Sequence, residues 1–155
     1  MRVLKEGMKA PDFALNDKDS NVFKLYDLTS DYIVVYFYPK DNTPGCTIES
    51  KGFSSVLEEF KKLGVTVIGI SGGNDNSKKK FCEKHDLNII LLSDPDFSVC
   101  KNYEAYGEKH FMGKKYDGIF RITYILDKDK KIIKTYEKVK SAVHAEEVLN
   151  DIKSL

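Results

Sequence analysis

The run Pro39-Lys-Asp-Asn-Thr43-Pro44-Gly45-Cys46-Thr47 places a cysteine between a β-rich apolar stretch and an amphipathic helical stripe. Turns from strand to helix at the carboxyl edge of a sheet are where α/β proteins hold ligands and reactive groups. At the start of a helix, unpaired N–H groups and the positive end of the dipole favour a thiolate. A thiolate held there is a nucleophile suited to attack on the O–O bond of a peroxide. Pro39 and Pro44 stiffen the turn, Gly45 removes a side chain beside the sulfur, and the Thr43 hydroxyl is available to bond the thiolate or a bound peroxide. A free cysteine is ordinarily a small buried hydrophobe. The residues flanking Cys46, however, are loop and cap residues rather than core residues.

A distant cation completes this chemistry. Only two arginines, Arg2 and Arg121, stand among the 25 basic residues. Arg2 falls in an expected flexible terminus, whereas Arg121 opens an apolar strand. A guanidinium offers fixed, permanently charged donors that lysine cannot copy. That suits a thiolate and the charge developing on a leaving oxygen, although a strand-end position also fits a surface arginine. Glu49, one helical turn after Cys46, is placed either to orient the arginine or to complement the helix dipole.

Two further cysteines differ in their helical neighbours. Around Cys82 the residues at i−4, i−3, i+3 and i+4 are Lys78, Lys79, His85 and Asp86. This predicts a solvated helix face, with the lysines favouring a thiolate; a surface thiol without a role fits the same pattern. Cys100 has Phe97 at i−3 and Tyr103 at i+3, which predicts core packing. His85, His110 and His144 have no metal or triad spacing and are expected at the surface, with His85 able to tune Cys82. Tyr103, Tyr106 and Phe111 are expected to pack in the core. No cofactor or metal is indicated.

The elements that position these residues follow from hydrophobic periodicity. Residues 13–25 predict a hairpin around a polar turn. Residues 32–38, nearly all apolar, predict a strand covered on both faces. Phe53, Val56, Leu57, Phe60 and Leu63 form a helical stripe closed by Gly64. Strands follow at 65–70 and 89–92. A polar, cap-rich stretch, Gly72–Ser77, leads into a helix with Phe81 and Cys82, and another helix carries Phe97, Cys100 and Tyr103. A Gly- and Lys-rich loop is expected from Gly107 to Gly118, then a hairpin of 121–126 with 132–136 and a final amphipathic helix. This order predicts a thioredoxin-like α/β fold: a central mixed sheet flanked by helices, with an N-terminal β-hairpin, as one domain over residues 1–155.

Composition bounds the remaining possibilities. Of 155 residues, 41% are hydrophobic and 32% charged, with a formal charge of +1. No global field points to nucleic acid or an anionic membrane as partner. The longest apolar run is too short to span a bilayer, and the N-terminus lacks a signal-peptide pattern, so a cytoplasmic location is expected. Three cysteines without a CxxC pair argue against a disulfide framework or a zinc site.

The spacing Pro39-x-x-x-Thr43-x-x-Cys46 resembles the active-site pattern of peroxiredoxins. The fuller Tyr38-Pro-Lys-Asp-Asn-Thr-Pro-Gly-Cys-Thr-Ile-Glu49 resembles the bacterioferritin-comigratory, or PrxQ, branch, as do Gly69-Ile-Ser71, Leu91-Leu-Ser-Asp94 and Lys115-Tyr-Asp-Gly-Ile-x-Arg121. The likeness runs from about Gly7 to the C-terminal helix. It implies that Cys46 is the peroxidatic cysteine, oxidised to a sulfenic acid by hydrogen peroxide or an organic hydroperoxide. It also implies that Pro39 shields the sulfur and that Thr43 and Arg121 orient the peroxide. Glu49 matches the branch as well. Many members carry a second cysteine five residues after the first, where this chain has Lys51. A subgroup places the resolving cysteine 36 residues on, and 82 − 46 = 36, which implies an intramolecular Cys46–Cys82 disulfide recycled by a thioredoxin- or glutaredoxin-like reductant. A monomer suffices for this, with a dimer also compatible. A one-cysteine enzyme resolved by an external thiol and a non-catalytic redox-sensing module are the alternatives.

Overall fold

The structure, a computed structural model, describes residues 3–155, so Arg2 lies outside the described residues. In chain order the elements are β1 (Ala14–Asn16), β2 (Val22–Lys24), a 3-10 turn (Leu25–Asp27), β3 (Tyr32–Phe37), α1 (Pro44–Ser55), α2 (Leu57–Lys62) and β4 (Val65–Ser71). Then come α3 (Asp75–His85), β5 (Ile90–Ser93), α4 (Ser98–Asn102), β6 (Tyr106–Phe111), β7 (Lys114–Ile119), β8 (Ile122–Asp127), β9 (Ile132–Tyr136) and α5 (His144–Lys153).

Seven strands form one sheet in the order β2-β1-β5-β4-β3-β8-β9. The β3/β4 and β4/β5 pairs are parallel, while β8 runs antiparallel to β3, and the N-terminal hairpin joins β5 through Asn16 and Ser93. This is the mixed, thioredoxin-like sheet that the element order predicts. Successive residues of β3 serve opposite faces, as the period of two requires. Val34, Tyr36 and the following Tyr38 enter a core shared with Phe53, Leu57, Phe60, Phe81, Val148 and Ile152. Ile33, Val35 and Phe37 enter a second core with Leu25, Val99, Cys100 and Tyr103. A strand buried on both sides explains the unbroken apolar run in its sequence.

On the first face, Tyr36 fastens α1 to the sheet. Its ring stacks on Phe53 at 4.7 Å, and its hydroxyl shares a 2.8 Å hydrogen bond with Ser50 Oγ. Truncating Phe53 to Ala would cost about 3–5 kcal/mol through lost contacts and the cavity left behind.

Two expectations are corrected. The stripe from Phe53 to Leu63 is not one helix: it breaks at Val56 (φ −111°, ψ 14°) into α1 and α2. Serine hydroxyls compete locally with the helical ladder, Ser55 Oγ donating to the Gly52 carbonyl at 2.8 Å. Residues 107–118 are not a loop but mostly a hairpin, β6 with β7, paired from Tyr106↔Ile119 to Phe111↔Lys114. Its two-residue turn, Met112-Gly113, has φ of 51° and 78°, the positive-φ geometry that matches strand twist and favours glycine. The hairpin lies outside the main sheet, so no apolar face revealed its period. Phe111 is accordingly 65% exposed rather than packed in the core, and Tyr106 is half-buried against Phe97. Tyr103 is buried as expected.

Candidate active site

Cys46 is the third residue of α1, fully buried in the first turn. Thr43 caps that turn in an extended conformation (φ −91°, ψ 155°), its carbonyl accepting from the Thr47 N–H at 2.8 Å. Pro44 occupies the first helical position, where its missing N–H costs nothing. The Thr43 hydroxyl donates to the Lys40 carbonyl at 2.9 Å and makes no hydrogen bond to the sulfur. Pro39 lies half-buried at the bend that follows β3.

Arg121 reaches this turn because of strand register. Antiparallel pairing sets Ile122, the first residue of β8, opposite Phe37, the last of β3. The residue before β8 therefore stands beside the loop that leaves β3. Arg121 Nη2 donates to Cys46 Sγ at 3.3 Å, and Nη1 donates to Glu49 Oε1 at 2.7 Å. One guanidinium thus bridges the thiol and a fully buried carboxyl one turn along the same helix. A Cβ on Gly45 would lie 3.3 Å from Arg121 Nη2, so the close approach of the guanidinium depends on glycine there.

The charges respond to burial and to each other. Burial alone would lower the Arg121 pKa, but negative charge at Cys46 and Glu49 outweighs it and the net shift is upward. Burial pushes Glu49 up to about 7, against the opposing pull of Arg121. The second Glu49 oxygen, Oε2, has no hydrogen-bond partner among the described residues. A second cation, Lys109 of β6, also belongs to this neighbourhood. Burial and then the charge of Arg121 lower its pKa, with Cys46 opposing, and its Nζ donates to the Ile119 carbonyl at 2.9 Å. The sequence offered no signal for it, because its hairpin read as a loop.

The other cysteines are free and buried. Cys82 is 3% exposed, which corrects the expected solvated face. Its polar neighbour Lys78 is itself fully buried, because Nζ is neutralised by Asp41 Oδ2 at 2.8 Å and accepted by the Gly72 carbonyl at 2.6 Å. Charge in the neighbouring position therefore marked a buried ion pair, not water. Burial raises the Cys82 pKa, and Asp41 adds to this while Lys18 and Lys78 oppose it. Cys46 and Cys82 share one core, whereas Cys100 lies in the core across the sheet, its thiol pushed up by burial.

His144 corrects a second expectation. It is buried, with Nε2 against Thr123 Oγ1 at 2.8 Å and Nδ1 against Glu147 Oε1 at 3.0 Å, between the rings of Phe53 and Tyr136. It lies on the inward face of α5, whose amphipathic pattern was legible although its histidine was assigned to the surface. His85 is half-buried and His110 exposed. Among the described residues no cluster of three or more His, Cys, Asp or Glu could hold a metal ion, and no helix is long and apolar enough to cross a membrane.

Taken together, a cysteine in a helix's first turn and an arginine bonded to it can activate a thiolate and stabilise the charge that develops on the leaving atom of a bond the sulfur attacks. Residues 7–135 match the model of the AhpC/TSA family. The chain is 44% identical over 153 residues to peroxiredoxin Bcp of Escherichia coli K12, covering 99% of this chain and 98% of that one. It is 40% identical over 149 residues to peroxiredoxin Bcp of Bacillus subtilis, covering 96% and 95%. Among solved structures, a cysteine-to-serine mutant of Xylella fastidiosa PrxQ superposes with a TM-score of 0.92 at 33% identity, covering 99% and 98%. The bacterioferritin comigratory protein of Xanthomonas campestris gives 0.86 at 34%, covering 92% and 90%.

Proposed function

Because the chain belongs to the AhpC/TSA family and is a peroxiredoxin, a thiol peroxidase, we propose that Cys46 is the thiol that meets the hydroperoxide and that Cys82 resolves its oxidised form. The observation that carries this reading is the Arg121 guanidinium, bonded at once to Cys46 Sγ and Glu49. In the first step the Cys46 thiolate attacks the distal oxygen, the O–O bond breaks, and water or an alcohol leaves after taking a proton. Arg121 stabilises both the thiolate and the departing oxygen, Glu49 holds Arg121 in place, and Pro39 restricts water. The Thr43 hydroxyl turns from the Lys40 carbonyl toward the bound peroxide.

In the second step the sulfenic acid condenses with Cys82, and a thioredoxin- or glutaredoxin-like dithiol reduces the disulfide. Two observations support Cys82. It shares the core of Cys46, while Cys100 is across the sheet. Xanthomonas campestris peroxiredoxin Q has been solved as serine mutants at two cysteines 36 positions apart, the spacing 82 − 46 of this chain. The alkyl peroxide reduction named for the Xanthomonas protein supports organic hydroperoxides, beside hydrogen peroxide, as substrates. An intramolecular disulfide needs no second subunit, so a monomer is the working unit, and a cytoplasmic setting fits reduced thiols.

A one-cysteine cycle is the second reading, favoured by the burial of Cys82 and its raised pKa. Peptide mapping after one equivalent of peroxide separates the two. A Cys46–Cys82 link is expected; a free Cys82 beside an oxidised Cys46 would establish the one-cysteine cycle instead.

A further inference from the structure

The loop that leads into α1 grips α3 at both ends. Near the start of α3, Lys78 Nζ donates to Asp41 Oδ2 at 2.8 Å, and Ser77 Oγ donates to the same oxygen at 2.6 Å. The other carboxylate oxygen, Asp41 Oδ1, receives the Tyr38 hydroxyl at 2.6 Å. At the far end, His85 Nε2 lies 2.6 Å from Asn42 Oδ1. The Lys78 and Asp41 side chains are 0% and 7% exposed. Cys82 lies between the two grips, four residues after Lys78 and three before His85.

We propose that Asp41 and Lys78 are positioning residues: their buried ion pair keeps Cys82 in the core and so sets how often it is released to meet oxidised Cys46. This rests on Cys82 being the resolving thiol. A disulfide brings two Cα atoms within about 7 Å and joins their sulfurs at about 2 Å. Here both thiols are free, buried and held in separate helices, and on this proposal α3 is the element that opens for the sulfurs to meet. On opening, the Cys82 sulfur gives an electron pair to the Cys46 sulfur of the sulfenic acid. The S–S bond forms, the S–O bond breaks, and hydroxide leaves with the Cys82 proton as water.

The two steps of the cycle therefore use different states. Peroxide reacts with the closed state, in which Cys46 lies against Arg121. Resolution runs through a minor open state in which the Asp41–Lys78 pair is parted. Losing one partner of a buried pair leaves the other charge uncompensated, which favours opening strongly. While the closed state remains dominant, such a change multiplies the open population and barely alters the closed one. Sulfenic acid that waits is open to a second peroxide, which takes it to sulfinic acid. The clamp thus also sets the share of enzyme lost to over-oxidation.

The test uses the full chain with Lys78→Met, and with Ser77→Ala as a milder variant that removes one bond and no charge. Hydrogen exchange of the reduced protein reports opening of α3 against α5 as an internal reference. Lys78→Met is expected to speed α3 exchange by at least about tenfold with α5 unchanged. Disulfide formation after stoichiometric peroxide should accelerate by the same factor, and the sulfinic share at excess peroxide should fall. The rate of sulfenic acid formation should stay within about twofold. Ser77→Ala moves each readout the same way by less, and carries the comparison if Lys78→Met does not fold. Unchanged α3 exchange, or α3 and α5 accelerating together, overturns the clamp. So does faster α3 exchange with no change in disulfide rate. A wild-type protein that forms no Cys46–Cys82 bond overturns the resolving role itself, a result distinct from these.

Discussion

Cys46 and Cys82 lie in the same core, on the same face of one sheet, in helices that follow neighbouring parallel strands. Their surroundings nevertheless differ in kind. Cys46 occupies a first helical turn and receives a guanidinium at 3.3 Å through a side chain that is 22% exposed. Cys82 lies late in its helix, with no hydrogen-bonded cation among the described residues, and Lys78, one turn earlier, is committed to Asp41. Burial is common to both, so burial does not distinguish them. What differs is a fixed positive charge at the mouth of one site, supplied by the register of β8 on β3.

Removing that charge is expected to have the largest effect. Arg121→Met would leave Cys46 a buried thiol much like Cys82. Second-order peroxide reduction, followed by stopped flow, is expected to fall by about 10²–10³-fold, the usual loss for a preorganised electrostatic donor. An unchanged rate would show that the helix terminus alone suffices.

Glu49 tests the same cluster through pH. Its pKa in the folded protein, about 7, lies above the ordinary carboxyl value of 4.5. A group shifted this way contributes its stability below the lower value and loses it as pH rises through the upper one. Glu49→Gln, neutral throughout, should therefore become more stable relative to wild type between pH 4.5 and 7, and level off above. The cumulative change is on the order of 3 kcal/mol, measurable from urea midpoints.

Cys82→Ser isolates Cys46. Single-turnover oxidation should persist at its wild-type rate, while turnover with a dithiol reductant falls on the order of tenfold because the disulfide route is closed. Gly45→Ala is expected to be the smallest effect. The added methyl crowds Arg121 Nη2 at 3.3 Å, and a displaced donor would slow peroxide reduction by about two- to tenfold.

The site was more legible than the surfaces around it. Cys46, Thr43 and Glu49 lie within one turn-and-helix segment, where loop and cap residues announce their own conformation. Arg121 stood out by rarity and strand position, but its pairing with Cys46 depends on register across 75 residues, which no local pattern encodes. The central strands were legible because double burial writes itself as an apolar run. Polar neighbours predict water around Cys82 and Lys78, and the absence of metal or triad spacing predicts a surface His144. Each is buried, and Lys78 and His144 find their partners in distant segments. The β6–β7 hairpin escaped because it has no apolar face to alternate.

The central claim, that Cys46 is the thiol that peroxide oxidises in each turnover, is tested by a coupled peroxidase assay. Wild type and Cys46→Ser are compared with a thioredoxin regenerating system. Steady turnover is expected for the wild type and none for Cys46→Ser. Peroxide turnover that survives in Cys46→Ser would contradict the claim.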